Sequence, residues 1–391
     1  MLGYHQATDI QQKAIPFILA DKDVMARAKT GTGKTAAFAL PILHKLVTAT
    51  KQKSTLSALV LAPTRELVQQ IHASFIQYGL NTDVKITAVF GGVSIKPQIT
   101  NIVKGVDIII ATPGRLLDLL SNNHLSLRYL SVLVLDEADR MLDLGFKAEI
   151  DRIMEQVPSK RQTLLFSATF DDSMHKFSKS LLSTPQVITI DDKTEVADSV
   201  EQLVYTVDAD RKRELLSYLI GSKNWQQVLI FTRTKKTADE LAKEMGKDGI
   251  KTQSLHGDKS QGTRDKALLD FKQGKIRALV ATDVAARGID IVNLAYVVNY
   301  ELPYVAEDYV HRIGRTGRAG KSGLALSLVS PSEEWLLTAI EKVIDTRLLQ
   351  QWLPGYEPDL TKVGRSKKTE NKKNARNKAL QKQTSKPRRR R

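Results

Sequence analysis

Short runs of Val, Ile and Leu recur along the chain, each followed by a stretch whose apolar positions fall at helical spacing. In the first half the runs occupy residues 24–28, 58–62, 86–90, 108–111, 132–135 and 164–166. In the second they occupy 204–207, 228–231, 253–255, 278–281, 296–298 and 324–329. A strand covered on both faces has no polar side to alternate with, so continuous apolar runs separated by helices predict parallel α/β sheets. Two sets of six predict two such domains, over residues 1–190 and 200–350. The polar, acidic segment 191–199 between them reads as a linker. A closing helix is expected over 333–349. Pro354, Gly355 and Pro358 follow it, and residues 351–391 read as a disordered tail.

Charge sharpens that picture. The 391 residues carry a net +16, but residues 362–391 alone hold fourteen Lys and Arg against the single Glu370. The rest of the chain is nearly balanced and the end is a polycation without an aromatic residue, the composition of a disordered arm for nucleic acid. A composition of 42% hydrophobic and 26% charged residues excludes a wholly disordered or collagen-like chain. Absence of cysteine excludes disulfides, thiolate metal sites and cysteine nucleophiles, and fits a reducing, cytoplasmic setting. No run of 18 apolar residues is present, and MLGYHQATDIQQ has neither the basic nor the apolar region of a secretory leader.

The first apolar run leads directly into Ala28-Lys29-Thr30-Gly31-Thr32-Gly33-Lys34-Thr35 and then into an apolar helix at 36–46. This is a P-loop with Ala at its first position. Gly31 and Gly33 let backbone N–H groups converge on phosphate oxygens at a helix N-terminus. Lys34 is placed for the β/γ-phosphates of ATP and Thr35 for Mg²⁺. A second apolar run ends in Asp136-Glu137-Ala138-Asp139. An acid at such a strand end holds Mg²⁺ in P-loop enzymes, which assigns Asp136 to the ion and Glu137 to the attacking water. ATP hydrolysis is the expected chemistry.

Asp136-Glu137-Ala138-Asp139 and the motifs around it resemble those of the DEAD-box ATP-dependent RNA helicases, in order from Gly3 to about Val329. The pattern looks closest to the bacterial RhlE-type branch. The resemblance implies two RecA-like domains that bind ATP and RNA across a cleft, with local unwinding of short duplexes on closure. Thr8-Asp9-Ile10-Gln11 resembles the adenine-reading Q motif and gives Gln11 to the adenine edge. Asp9 stands where the family has proline, and the family's upstream aromatic residue has no counterpart before Gln11, so that either coding sequence before Met1 supplies it or the nucleotide site lacks it. Ser167-Ala168-Thr169 resembles the motif that couples hydrolysis, through Asp139, to strand separation.

Pro63-Thr64-Arg65, Gly91-Gly92 and Thr112-Pro113-Gly114-Arg115 each follow a predicted strand and so share one rim of the sheet. Their glycines, hydroxyls and arginines suit a sugar–phosphate backbone, and they match the family's RNA-binding set. In the second half the resemblance extends to the motif around Arg233, the block His256-Gly257-Asp258 with Gln261 and Arg264, and Thr282-Asp283 continuing to Asp290. Arg233, Gln261, Arg264, Thr282 and Asp283 would then contact RNA and Asp290 the ribose. His311-Arg312-Ile313-Gly314-Arg315-Thr316-Gly317-Arg318 resembles the motif whose arginines, here Arg315 and Arg318, act as fingers on the γ-phosphate. A monomer is the default expectation, with ribosome-assembly or RNA-decay proteins as partners. A DNA-directed helicase of the same superfamily and an ATP-dependent RNA clamp with little unwinding are the competing readings.

Overall fold

The computed structural model describes residues 6–28, 31–49, 55–170, 172–190, 200–286, 294–317, 323–359 and 361. Contacts divide the chain into two compact units. The first holds residues 1–194 together with 259–263 and 284–292, and the second holds the remainder.

The first unit is a seven-stranded parallel sheet of β1 (Val24–Arg27), β2 (Ala58–Leu61), β3 (Ile86–Val89), β4 (Ile108–Ala111), β5 (Val132–Leu135), β6 (Gln162–Ser167) and β7 (Gln186–Thr189), in the order β3-β4-β2-β5-β6-β1-β7. The second repeats this topology with β8 (Val200–Thr206), β9 (Val228–Thr232), β10 (Thr252–Leu255), β11 (Ala278–Thr282), β12 (Tyr296–Asn299), β13 (Gly323–Val329) and β14 (Gln350–Gln351), in the order β10-β11-β9-β12-β13-β8-β14.

The reason for the unbroken apolar runs is visible in β2. Leu59 and Leu61 enter the core on one face of the sheet with Ile109, Leu133 and Leu165. Val60 enters the other with Ile108, Val134 and Phe166. Each such side chain contributes about 1.5–3 kcal/mol when fully buried, so both faces reward apolar residues and alternation disappears.

Each sheet has seven strands where six were expected. The additional ones are edge strands: Val187 of β7 is largely exposed, and β14 is two exposed glutamines. Neither contains three consecutive apolar residues to detect. The closing helix spans Glu334–Ile344 and stops at Asp345, whose φ is +52°. Leu348 fits the helical spacing, yet it reaches the core from the loop after that turn, with its N–H on Glu341 Oε1 at 2.9 Å. Ordered chain continues past residue 350. Leu353 and Tyr356 pack on the second unit's core, Arg211 stacks on Tyr356, and the Asp359 N–H meets Asp208. The linker at 191–199 and the tail at 362–391 lie outside the described residues. Among the described residues no helix is long and apolar enough to cross a membrane.

Candidate functional site

Because every strand of the first sheet is parallel, all the loops that follow strands open at one edge. Strand order divides that edge in two. The P-loop follows β1, Asp136–Asp139 follows β5 and Ser167–Thr169 closes β6, and these three strands are neighbours. Pro63–Arg65, Gly91–Gly92 and Thr112–Arg115 follow β2, β3 and β4, also neighbours. The two halves meet where β2 pairs with β5.

In the P-loop Gly31 and Gly33 take φ of +82° and +94°, the left-handed region that glycine enters without strain. At Gly33 the space is also closed, since a Cβ there would lie 2.5 Å from Gln11 Nε2. The helix Lys34–Thr48 starts at once, with Thr35 half-buried in its first turn. Lys34 is buried and its Nζ donates to the Ala28 carbonyl at 2.9 Å. That ammonium closes the loop on itself and lies where phosphate oxygens can replace the carbonyl. Lys29 and Thr30 lie outside the described residues.

Gln11 is placed differently from a free adenine reader. Its Oε1 accepts the Thr8 N–H at 3.1 Å within a capping box that starts the helix Asp9–Leu19, and its Nε2 donates to the Gly33 carbonyl at 3.3 Å. One side chain thus ties that helix to the phosphate loop, leaving one amide hydrogen and one lone pair for a base. Asp9 in place of proline leaves this turn intact, because Thr8 supplies the extended cap and an acid suits the first turn.

The acidic segment is strained and buried. Glu137 has φ +52° and ψ +50°, a conformation that costs energy for a side chain of its size and concentrates at functional sites. Asp136 is 2% exposed and accepts the Glu137 N–H at 3.0 Å. Burial pushes its carboxyl up to about 6 against the attraction of Lys34, and the charges of Glu137 and Asp139 push the same way. Glu137 Oε2 is buried with no hydrogen-bond partner among the described residues. A buried acid held short of compensating charge, beside an orphaned carboxylate oxygen and a lysine, fits a cation and a phosphate chain. No cluster of three His, Asp or Glu suited to a metal occurs among the described residues. Mg²⁺ needs none where phosphate and water complete its shell.

Asp139 reaches β6. Its Oδ2 accepts from Ala168 N, Thr169 N and Thr169 Oγ1, all at 3.1 Å, while Oδ1 accepts from Arg140 N at 2.9 Å. Ser167 Oγ donates to the Thr169 carbonyl at 2.7 Å. The expected junction between these two motifs is therefore built.

In the other half of the edge, Thr64 caps the helix Arg65–Tyr78 by accepting from Leu67 N. Gly92 takes φ +76°, the region glycine enters without strain, and the Arg65 guanidinium lies against it. Thr112 precedes the helix Pro113–Ser121 in an extended conformation without a side-chain cap bond, and nothing lies within 4 Å of a Cβ built on Gly114. Arg115 Nη2 donates to the Val93 carbonyl at 3.0 Å. Gln98, absent from the sequence reading, donates to the Phe90 carbonyl at 3.0 Å and so holds the same glycine loop. A lone glutamine inside a helix gives no signal without its partner.

In the second unit two residues expected at RNA are engaged by other side chains. Both Asp283 oxygens are taken by Arg312, which is 1% exposed, at 2.6 and 2.7 Å. Arg312 also donates to Asn299 Oδ1 and to the Glu301 carbonyl. Asp283 thus orients the arginine motif. Arg233 is likewise occupied: its Nη2 lies 2.7 Å from Glu333 Oε1 and 3.4 Å from Glu301 Oε1. Thr282 ends β11, Gln261 opens the helix Gln261–Lys272 and Arg264 lies buried within it. Arg315 is buried beyond the helix Ala306–Ile313. Asp290 and Arg318 lie outside the described residues.

Residues 8–177 match the family described as DEAD/DEAH box helicase, and residues 211–320 match the helicase conserved C-terminal domain. ATP-dependent RNA helicase CshA of Listeria monocytogenes is 41% identical over 91% of this chain and 68% of its own length. DEAD-box ATP-dependent RNA helicase RhpA of Helicobacter pylori is 43% identical over 88% of this chain and 70% of its own. Among solved structures, S. cerevisiae Dbp5 bound to RNA and ADP BeF3 superposes with a TM-score of 0.79 at 32% identity, covering 91% of this chain and 90% of that one. Mss116p bound to ssRNA and AMP-PNP gives 0.80 at 32% identity, covering 91% and 75%. Both units therefore have the RecA-like α/β fold expected from the sequence.

Proposed function

The chain belongs to the DEAD-box family of ATP-dependent RNA helicases, and from that premise we propose how its own residues carry the activity. It is an ATP-hydrolysing RNA helicase that uses ATP to bind RNA and to separate short duplexes. The observation that carries this reading is the divided edge of the first sheet: phosphate-suited loops on β1, β5 and β6, backbone-suited loops on β2, β3 and β4, joined at β2 and β5.

Gly31, Gly33 and Lys34 hold the phosphates, and Gln11 adds the loop-to-base contact. Thr35 and Asp136 are the residues to hold Mg²⁺, which when bound offsets charge developing on the phosphate oxygens. Glu137 takes the proton of the attacking water, for which its unpartnered Oε2 is free. Asp139 passes the state of that site to Ser167–Thr169. Arg315 and Arg318 are assigned to stabilising the transferred phosphoryl group. Thr64, Arg65, Gly91, Gly92, Thr112, Gly114, Arg115 and Gln261 grip the RNA backbone, with Arg264 and Thr282 on the second unit. The polycationic residues 362–391 add affinity for any RNA.

Within the family we keep the RhlE-type branch as a proposal, since the relatives given above bear CshA and RhpA names. Two experiments separate the rival readings. ATPase stimulation by RNA and not by DNA of the same length excludes the DNA-directed enzyme. Displacement of a strand from a short RNA duplex with ATP excludes a clamp, and hydrolysis without displacement would establish one.

A further inference from the structure

The carboxyl edge of the second sheet holds an aromatic feature that the motifs do not account for. Arg233 follows β9, Glu301 to Tyr304 follow β12, and Glu333 to Trp335 follow β13, on strands paired side by side. Glu333 and Glu301 fix the Arg233 guanidinium as described, and Glu301 Oε2 also accepts the Arg233 N–H at 2.8 Å. The fixed guanidinium lies over the Tyr304 ring, 4.8 Å from Cζ to the centroid. Tyr304 is nevertheless 68% exposed and Trp335 is 62% exposed. One face of Tyr304 is thus backed by a clamped cation while much of the ring stays open to water.

A ring held this way loses little freedom when something stacks on it. Its immediate surroundings are two carboxylates and an arginine, a poor seat for an apolar protein surface and a good one for a flat polar base. Neighbouring strands lie about 4.8 Å apart, so Tyr304 is within a nucleotide's reach of the loop after β9. We propose that Tyr304 is a stacking platform for a nucleobase of single-stranded RNA. It adds a base contact to a site whose other groups suit sugar and phosphate. This inference rests on the RNA-binding reading above.

The test uses the full chain with a non-hydrolysable ATP analogue, a short fluorescent oligouridylate and its abasic counterpart. Tyr304→Ala should weaken binding of the base-bearing oligomer roughly 5- to 150-fold, the range given by stacking of about 1–3 kcal/mol per base. Tyr304→Phe should bind close to the parent, and on abasic RNA all three should bind alike. Equal affinity of the parent and Tyr304→Ala for the base-bearing oligomer would overturn the platform alone and leave the surface to a protein. A loss of the same size on abasic RNA would also overturn it. A parent that binds neither oligomer would overturn the RNA reading, and the platform with it.

Discussion

Replacing Asp139 by Ala removes the junction between the acidic segment and β6 without touching the phosphate loop. Asp139 is 8% exposed, and its Oδ2 accepts three hydrogen bonds from Ala168 and Thr169 at 3.1 Å. A bond to a charged acceptor contributes about 1.5–3 kcal/mol, but three on one oxygen do not add. Ala168 and Thr169 are half-buried, so water recovers part of what is lost, and Ser167 Oγ already lies 3.3 Å from Thr169 N. The first unit should therefore lose about 2–3 kcal/mol. Thr169→Ala, which deletes one donor and leaves both N–H bonds, should lose about 1 kcal/mol. Urea melts give the stabilities, and a double-mutant cycle should return a coupling of about 1 kcal/mol between the two positions. Nucleotide binding should survive in Asp139→Ala, because Lys34 and Asp136 are untouched, while strand displacement per ATP hydrolysed falls. Parental stability together with parental displacement would refute the coupling argument.

Lys34→Ala should abolish ATP turnover, since Lys34 is the one cation in the described P-loop and is already buried there; residual RNA-stimulated hydrolysis above background would contradict its assignment. Glu333→Gln should destabilise the second unit by about 3–5 kcal/mol at pH 7, because Lys212, bonded to Glu333 at 2.5 Å and 3% exposed, loses that countercharge while buried and keeps the neutral Tyr300 carbonyl at 3.0 Å. Burial pushes the Glu333 carboxyl up, but Lys212 and Ser330 outweigh it, so it sits below its ordinary 4.5. A depressed acid stabilises above its unfolded value, so the gap between parent and variant should be full at neutral pH and shrink as the pH falls below about 4.5 in chemical-denaturation curves. Deleting residues 362–391 should weaken RNA binding and flatten its salt dependence, by a log–log slope of about 0.7 per lost phosphate contact, with the maximal ATPase rate retained.

Much of this was legible in the sequence where local pattern and final environment coincide. The apolar runs marked the buried strands because both sheet faces are covered. Gly31, Gly33, Lys34 and the Asp136 segment could be read because their chemistry is written in consecutive residues. β7 and β14 escaped because neither contains three consecutive apolar residues: β7 has only Val187 and Ile188 before Thr189, and β14 is Gln350–Gln351. The side-chain partners of Arg233 and Asp283 escaped for a different reason. Arg233 meets carboxylates 68 and 100 residues away, and Asp283 meets an arginine 29 residues away. Whether a charged side chain is free for a ligand depends on such partners, which spacing along the chain does not reveal. Gln11 is an intermediate case: its capping box is local and readable, whereas its bond to Gly33 spans 22 residues.

The central claim is that the edge formed by β1, β5 and β6 hydrolyses ATP through Glu137 and that RNA binding is coupled to this step. Its most direct test is multiple-turnover ATP hydrolysis by Glu137→Gln with saturating RNA, beside a measurement of ATP and RNA binding by the same variant. The variant should bind both ligands like the parent, since Lys34 and Asp136 are intact, and should turn over ATP at no more than a small fraction of the parental rate. Turnover at the parental rate would contradict the account.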